Sequence, residues 1–151
     1  MPDFASIANK KVTEIERPPL PPVGTYRWSI TKLPAVTTTG DGKWDILTVQ
    51  VRALEALDDV EQSDYSGDIT NITNQVKFMF NKEDEAEFDK SLFRARTFFE
   101  KHVKCASEDD TVGQMLNNSV NQQFLGTIAW QQDKNDPDLF YANIARTAPI
   151  E

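Results

Sequence analysis

The sequence predicts a mainly β protein with one principal helix, in the element order β-β-β-α-β-β. Apolar and polar residues alternate with a period of two through residues 24–53, and again after residue 122. Between these regions, apolar residues recur every three or four positions through residues 88–103. The length of 151 residues fits a single domain that buries a core of its own.

Residues 1–22 are predicted to form an N-terminal arm, and residues 23–151 the folded domain. The run from Pro18 to Pro22 contains four prolines, which exclude a helix and favour polyproline II. We expect a stiff lead-in that lies along the domain. A docking motif for a partner is the alternative interpretation.

The first strand is predicted from Gly24, with Tyr26, Trp28 and Ile30 on its core face. A turn over residues 39–42 leads into a second strand over residues 43–53, so the two strands are predicted to form a hairpin. Apolar side chains of the second strand are expected to face inward: Leu47, Val49 and Val51. Its outward row comprises Trp44, Ile46, Thr48, Gln50 and Arg52.

A third strand is predicted over residues 72–80, with Val76, Phe78 and Phe80 on one face. Asn81 is then expected to cap the principal helix, since acidic residues in the turn that follows complement the helix dipole. The buried stripe of this helix is predicted to contain Phe88, Leu92, Ala95, Phe99 and Val103.

Thr111 is predicted to cap a shorter helix that buries Val112, Met115 and Leu116. Two last strands are expected over residues 123–131 and 139–146, joined by a turn at residues 133–138. A five-stranded antiparallel barrel with its helix between strands three and four is the OB-fold arrangement. Because element order does not establish closure, a small α+β sheet protein is the alternative.

The net charge of −8 is concentrated in one segment. Residues 54–71 contain no Lys or Arg and six acidic residues: Glu55, Asp58, Asp59, Glu61, Asp64 and Asp68. We expect an acidic insertion with a solvated surface. Residues 24–53 carry four basic and two acidic residues, so a local cationic patch can oppose the global charge.

The sequence lacks the residue patterns of an enzyme. It has no Gly-rich phosphate loop, nucleophile elbow or metal-ligand cluster, and we expect neither catalysis nor a cofactor. His102 and Cys105 are the only residues of their types, too few for a structural zinc site. The single cysteine, the lack of a long apolar run and the lack of a signal-peptide pattern predict a cytoplasmic protein without a membrane partner.

Aromatic and basic residues on the predicted strands indicate nucleic-acid binding. An outward Trp44 beside Arg52 would lie where OB-folds bind oligonucleotides, although packing beneath the acidic insertion is the alternative. Trp130 on strand four has an ambiguous facing. The predicted nucleic-acid-binding residues are Arg27, Lys43, Trp44, Arg52, Lys77, Tyr141 and Arg146.

Four short sequence motifs extend this interpretation. They are Pro21-Pro22-Val23-Gly24-Thr25-Tyr26, Gly42-Lys43-Trp44, Phe124-Leu125-Gly126-Thr127-Ile128 and Asn143-Ile144-Ala145-Arg146-Thr147-Ala148-Pro149. In these motifs the chain resembles a divergent OB-fold group of the single-stranded-DNA-binding proteins of tailed bacteriophages.

The resemblance implies a protein that coats single strands during phage DNA replication or recombination, with little sequence preference. It implies contacts through Arg27, Lys43, Trp44, Arg52 and Lys77, with replication or recombination proteins as further partners in the host cytoplasm. The oligomeric state stays open. Many proteins of this role carry an acidic C-terminal tail, whereas the acids of this sequence lie at residues 54–71. One hypothesis is that these acids compete with DNA or recruit a partner.

A second class of function is compatible with the acidity and the proline-rich arm. A phage structural or host-interaction protein could use the same barrel as a protein-docking surface, because a fold does not determine function.

Overall fold

The computed structural model describes residues 4–12 and 19–150. Over these residues the chain forms one antiparallel sheet with helices at its side, which confirms a mainly β protein with one principal helix. The strands are β1 Gly24–Ile30, β2 Ala35–Thr38, β3 Trp44–Ala56, β4 Thr73–Asn81, β5 Gln123–Gln132 and β6 Phe140–Ala148. The helices are α1 Phe4–Ile7, α2 Glu85–Thr97 and α3 Val112–Asn118.

Strand β1 lies at the centre of the sheet, pairing with β3 on one edge and β5 on the other. The long β3 also pairs with β2 beyond the end of β1, and with β4 along its opposite edge. Strand β6 continues the sheet from β5. All of these pairings are antiparallel, so the three strands predicted before the helix and the two after it are present.

The predicted hairpin forms around the expected turn, but between β2 and β3 rather than between β1 and β3. Thr38 pairs with Asp45 beside the turn, whereas β1 pairs with the far half of β3, from Val51 to Ala56. Strand β2 was not predicted, because all four of its residues are exposed. An exposed strand lacks the alternation of apolar and polar residues that indicates a strand.

Strands β4 and β6 come close where the sheet curls towards itself. The Asn74 side-chain amide donates to the Ala142 carbonyl at 2.9 Å, although the described residues show no ladder between the two strands. Below this seam, the helical segment Phe98–His102 packs against β6, with His102 Nδ1 2.6 Å from Thr147 Oγ1. The sheet therefore wraps around a core that the principal helix covers.

The core is built around two aromatic residues of β1. Tyr26 and Trp28 are fully buried with ring centroids 5.5 Å apart. The Trp28 indole donates to the Gly126 carbonyl at 3.0 Å, and the Tyr26 hydroxyl donates to the Pro22 carbonyl at 2.7 Å. Their polar atoms are therefore satisfied inside the core. The predicted inward residues of β1 and β3 are all buried, as expected: Tyr26, Trp28, Ile30, Leu47, Val49 and Val51.

The cap of the principal helix was predicted three residues too early. Asp84 is the N-cap of α2, and its carboxylate accepts from the Glu87 amide at 3.2 Å. Asn81 instead ends β4, opposite Trp44, and its side-chain oxygen accepts from the Glu83 amide. The strand thus retains Asn81 as a paired residue. After Thr97 the helix widens into one π-helical turn, which buries both Phe98 and Phe99.

Thr111 caps α3 in a capping box with Gln114, which confirms the prediction. Met115 is buried below it. Val112 is 55% exposed, so its predicted burial is wrong. At the first position of α3, this side chain lies on the rim of a groove between α2 and α3.

The described end of the proline-rich run lies against the sheet, beside β1 and β5. Pro22 is buried beneath Tyr26, and the Trp130 indole donates to the Pro21 carbonyl at 2.7 Å. Residues 1–3 and 13–18 of the predicted arm lie outside the described residues. The short helix α1 within the arm was not predicted.

We expect Gly126→Ala to destabilise the fold because Gly126 faces the Trp28 indole. A Cβ there would lie 2.8 Å from Trp28 Nε1 and 2.9 Å from Trp28 Cδ1. Overpacking of this kind costs about 1–3 kcal/mol, which corresponds to a fall in Tm of roughly 3–10 °C for this size. Thermal unfolding followed by circular dichroism measures it.

Gly40→Ala is the matched control, because no atom lies within 4 Å of the position that its Cβ would occupy. An unchanged Tm for Gly126→Ala would contradict the tight packing of β5 on Trp28.

Candidate nucleic-acid interface

The outer surface of β3 and β4 displays alternate residues of both strands. The register places Trp44 opposite Asn81, and Thr48 opposite Lys77. Trp44 is half-buried and Lys77 is exposed. We call this surface the β3–β4 face; it comprises Trp44, Ile46, Thr48, Gln50, Arg52, Gln75, Lys77 and Met79. Trp44 and Lys77 therefore share one face, separated by about 13 Å along the strands.

A polar groove of about 580 Å³ borders the β3–β4 face on the side of β6. Its lining combines side-chain amides with one cation: Gln50, Asn74, Gln75, Asn143 and Lys77. Amide groups both donate and accept hydrogen bonds, so they can contact the edges of nucleobases as well as sugar or phosphate oxygens. Of these amides, only Gln50 was predicted to face outward. Asn74, Gln75 and Asn143 join it through the strand pairing rather than through a local sequence pattern.

Lys43 lies at one end of the β3–β4 face, in the turn that joins β2 to β3. The Asp41 carboxylate shapes this turn by accepting from the Thr39 hydroxyl at 2.6 Å and the Lys43 amide at 3.0 Å. Both bonds hold the pKa of Asp41 below its usual value, the Thr39 bond most strongly. Across residues 4–12 and 19–150, the side-chain ammonium groups of Lys43 and Lys77 enter no ion pair.

Arg52 lies at the other end of the β3–β4 face and is held by residues 54–71, the acidic segment. Its guanidinium donates to the Thr70 carbonyl and to Asn71 Oδ1. Its charge also helps to lower the pKa of Asp68, after the larger effect of the hydrogen bonds from Thr70. Arg52 thus tethers the acidic segment and lies at the edge of the β3–β4 face.

The acidic segment crosses the sheet far from Trp44. Trp44 and Arg52 are eight positions apart on β3, or about 26 Å. The contacts that anchor this segment therefore lie towards the opposite end of β3 from Trp44. The segment itself is ordered by Val60, which is buried, and by Asp59, which binds the first residues of β1.

Two of the other predicted cations lie on the outer surface of β1, β5 and β6, each near an acid. Arg27 Nε is 3.1 Å from Glu55 Oε1, at an angle that forms no hydrogen bond. An exposed pair of this kind contributes at most about 1 kcal/mol. Arg146 on β6 lies opposite Thr127 on β5, and its positive charge helps to lower the pKa of Asp59.

Asp59 links the acidic segment to this surface. Its carboxylate accepts from the Thr25 amide at 2.9 Å and from the Thr25 hydroxyl at 2.8 Å. These bonds, the amide bond foremost, hold the pKa of Asp59 below its usual value, and Arg146 makes a smaller contribution.

Tyr141, the last predicted contact, donates to Asp133 Oδ2 at 2.9 Å. The seven predicted residues therefore do not converge on one site, since only Lys43, Trp44, Arg52 and Lys77 lie along the β3–β4 face.

Groups that could suggest catalysis have structural surroundings. Burial raises the pKa of the Cys105 thiol to about 11, which disfavours the reactive thiolate. Burial also lowers the pKa of His102, which is bonded to Thr147. In the part of the chain that the structure describes, no cluster of three or more His, Cys, Asp or Glu could hold a metal ion. The helices of this same part are all too short or too polar to cross a bilayer.

No protein-family model matches the chain, and a comparison with curated proteins finds no significant match.

We expect Asp59→Asn to weaken the fold in a pH-dependent way. A carboxylate whose pKa is lowered by folding stabilises the protein above its unfolded pKa, about 3.9, and this contribution is lost as the pH falls through the folded value. The Tm of the native protein should therefore exceed that of the variant at neutral pH, and the difference should shrink below about pH 4.

Asp109→Asn is the matched control, because within the described residues the Asp109 carboxylate accepts no hydrogen bond. Thermal unfolding between acid and neutral pH compares the three proteins. A constant Tm difference across this range would argue against the Asp59–Thr25 linkage.

Proposed function

We propose that this chain is a non-enzymatic binder of single-stranded DNA, built on an OB-type barrel. The strand pairings support the barrel: β1 pairs with β3 and β5, β3 pairs with β4, and β5 pairs with β6. Strand β4 then approaches β6, and α2 lies between β4 and β5 in the chain. This order corresponds to a five-stranded OB-fold in which β2 is an added strand.

The observation that carries the proposal is the position of Trp44 and Lys77. In the OB-type assignment, β3 and β4 are the second and third barrel strands, whose outer face binds oligonucleotides between two flanking loops. Those loops correspond to residues 31–43, which include β2, and to residues 133–139. Lys43 lies in the first loop, next to Trp44.

Each component of this face supplies a different interaction. The Trp44 indole offers a surface on which a base can stack, whatever its identity. Lys43 and Lys77 are separated widely enough to meet different phosphates of one strand, and the amides of the polar groove reach base edges or sugars. Stacking and phosphate contacts carry little sequence information, so the proposal includes little sequence preference.

The charge distribution supports binding on one side of the molecule only. Acidic residues lie beside Arg27 and Arg146, whereas the β3–β4 face keeps Lys43 and Lys77 outside the ion pairs of the described residues. The proposed contact residues are therefore Lys43, Trp44 and Lys77, with Arg52 at the edge of the face. The proposed role in phage DNA replication or recombination rests on the resemblance in short sequence motifs.

We expect Trp44→Ala to weaken the binding of a fluorescent single-stranded oligonucleotide about five- to a hundredfold, since stacking contributes about 1–3 kcal/mol per base. Fluorescence anisotropy at low salt measures the affinity. Val23→Ala is the control, because Val23 is 51% exposed and precedes β1, outside the β3–β4 face. Equal affinity of the Trp44 variant and the native protein would remove Trp44 from the interface.

Binding should also depend on salt with a shallow slope. Two phosphate contacts on a single strand predict a slope of log K against log salt near −1.4, and Lys77→Gln should reduce its magnitude by about 0.7. Arg146→Gln removes the same charge beside Asp59 and should leave the slope unchanged.

Duplex DNA and RNA competitors in the same titration test the preference for single-stranded DNA. A complete lack of binding at low salt would refute the proposal and favour the protein-docking alternative.

A further inference from the structure

A second surface of the molecule, on its helical side, combines apolar and acidic residues. It is a cavity of about 450 Å³ between α2 and α3, which we call the α2–α3 groove. Its apolar lining includes Leu92, Phe93, Val112 and Met115, of which Phe93 is 64% exposed. Leu92 and Val112 are exposed beside Phe93, so three neighbouring apolar side chains contact solvent here.

The rim of the α2–α3 groove is acidic. Its ionisable residues are Asp89, Arg96, Glu100, Glu108 and Asp110, which sum to −3. The positive charge of Arg96 is already neutralised, since Arg96 Nε lies 2.7 Å from Glu100 Oε2. The chemistry of the groove therefore fits an apolar segment that also carries positive charge.

Residues 4–12 of the arm have this chemistry. Phe4, Ile7 and Val12 are its large apolar side chains, and Phe4 and Val12 are each at least 80% exposed. Phe4 and Ile7 are three positions apart on α1, so they lie on one side of the helix. Lys10 follows α1, and residues 4–12 contain no acidic side chain.

Among the described residues, the segment 4–12 and the α2–α3 groove are both exposed to solvent. Every residue from 4 to 12 is exposed, and so are Phe93 and Val112 on the groove. Two complementary surfaces that stay uncovered within one molecule can cover each other between two molecules.

We propose that the arm of one copy docks into the α2–α3 groove of a second copy. Phe4 and Ile7 contact the apolar lining, and Lys10 approaches the acidic rim. The contact is heterologous, because it joins two different surfaces. Each pair of molecules therefore keeps one unoccupied groove at one end and one undocked arm at the other. Heterologous contacts that do not close a ring extend into open chains. The proposal does not depend on nucleic-acid binding.

Analytical ultracentrifugation of the full-length chain tests this docking. At low salt we expect the average mass to rise with concentration beyond that of a dimer. An arm variant, Phe4→Ser with Ile7→Ser, and a groove variant, Phe93→Ser with Val112→Ser, should each associate at least tenfold more weakly. Val36→Ser is the matched control, because Val36 on β2 is 56% exposed and Val112 is 55% exposed. The control should associate like the native chain.

Mixing the two variants gives the sharpest result. The arm variant keeps its groove and the groove variant keeps its arm, so the mixture should form one-to-one heterodimers that do not grow further. Higher salt should weaken this association, because salt screens the exposed charges of the rim. Circular dichroism melts confirm that each variant is folded.

Other outcomes would overturn the proposal. One is a native chain that stays monomeric at all concentrations, which includes the case in which the arm folds onto its own groove. Another is a groove variant that associates like the native chain. The third is a mixture of the two variants that forms no heterodimers. The assay contains no nucleic acid, so its failure is distinguishable from a failure of DNA binding.

Discussion

The structure depends on β1 being paired along both edges while its aromatic side chains fill the core. Trp28 connects these two roles, since it is fully buried and its indole donates to the Gly126 carbonyl on β5. The backbone of β1 pairs with β3 along one edge and with β5 along the other. The outer face of β3 and β4, which carries the candidate interface, is positioned by this central strand.

The acidity of the chain has a specific location. Residues 54–71 bind the start of β1 through Asp59 and the far end of β3 through Arg52, about 26 Å from Trp44. Two of their carboxylates, Glu55 and Asp59, lie near Arg27 and Arg146, whereas Lys43 and Lys77 lie along the β3–β4 face. A protein with net charge −8 can therefore present one cationic surface, because charges at short range outweigh a distant screened charge.

Residue alternation predicted which side chains of β1 and β3 enter the core, and Tyr26, Trp28 and Val49 all do. The same rule missed β2, because an exposed strand lacks the pattern. It also assigned Asn81 to a helix cap, although this residue completes β4. Of the predicted contact residues, Trp44 and Lys77 share a face. Arg27 and Arg146 have acidic neighbours that are distant in sequence, so no local pattern could have indicated their pairing.

The sequence by itself determined the β-rich class, the order of five strands and the principal helix, and the facing of the central strands, because burial alternates with the two-residue period of a strand. Only the tertiary structure decided which cations remain available and that α1 and the α2–α3 groove are both left uncovered. The reason is that the charge environment and exposure of a side chain depend on segments that pack against it from elsewhere in the chain. Arg52 illustrates this, since Thr70 and Asn71 hold it although eighteen positions separate Arg52 from Thr70.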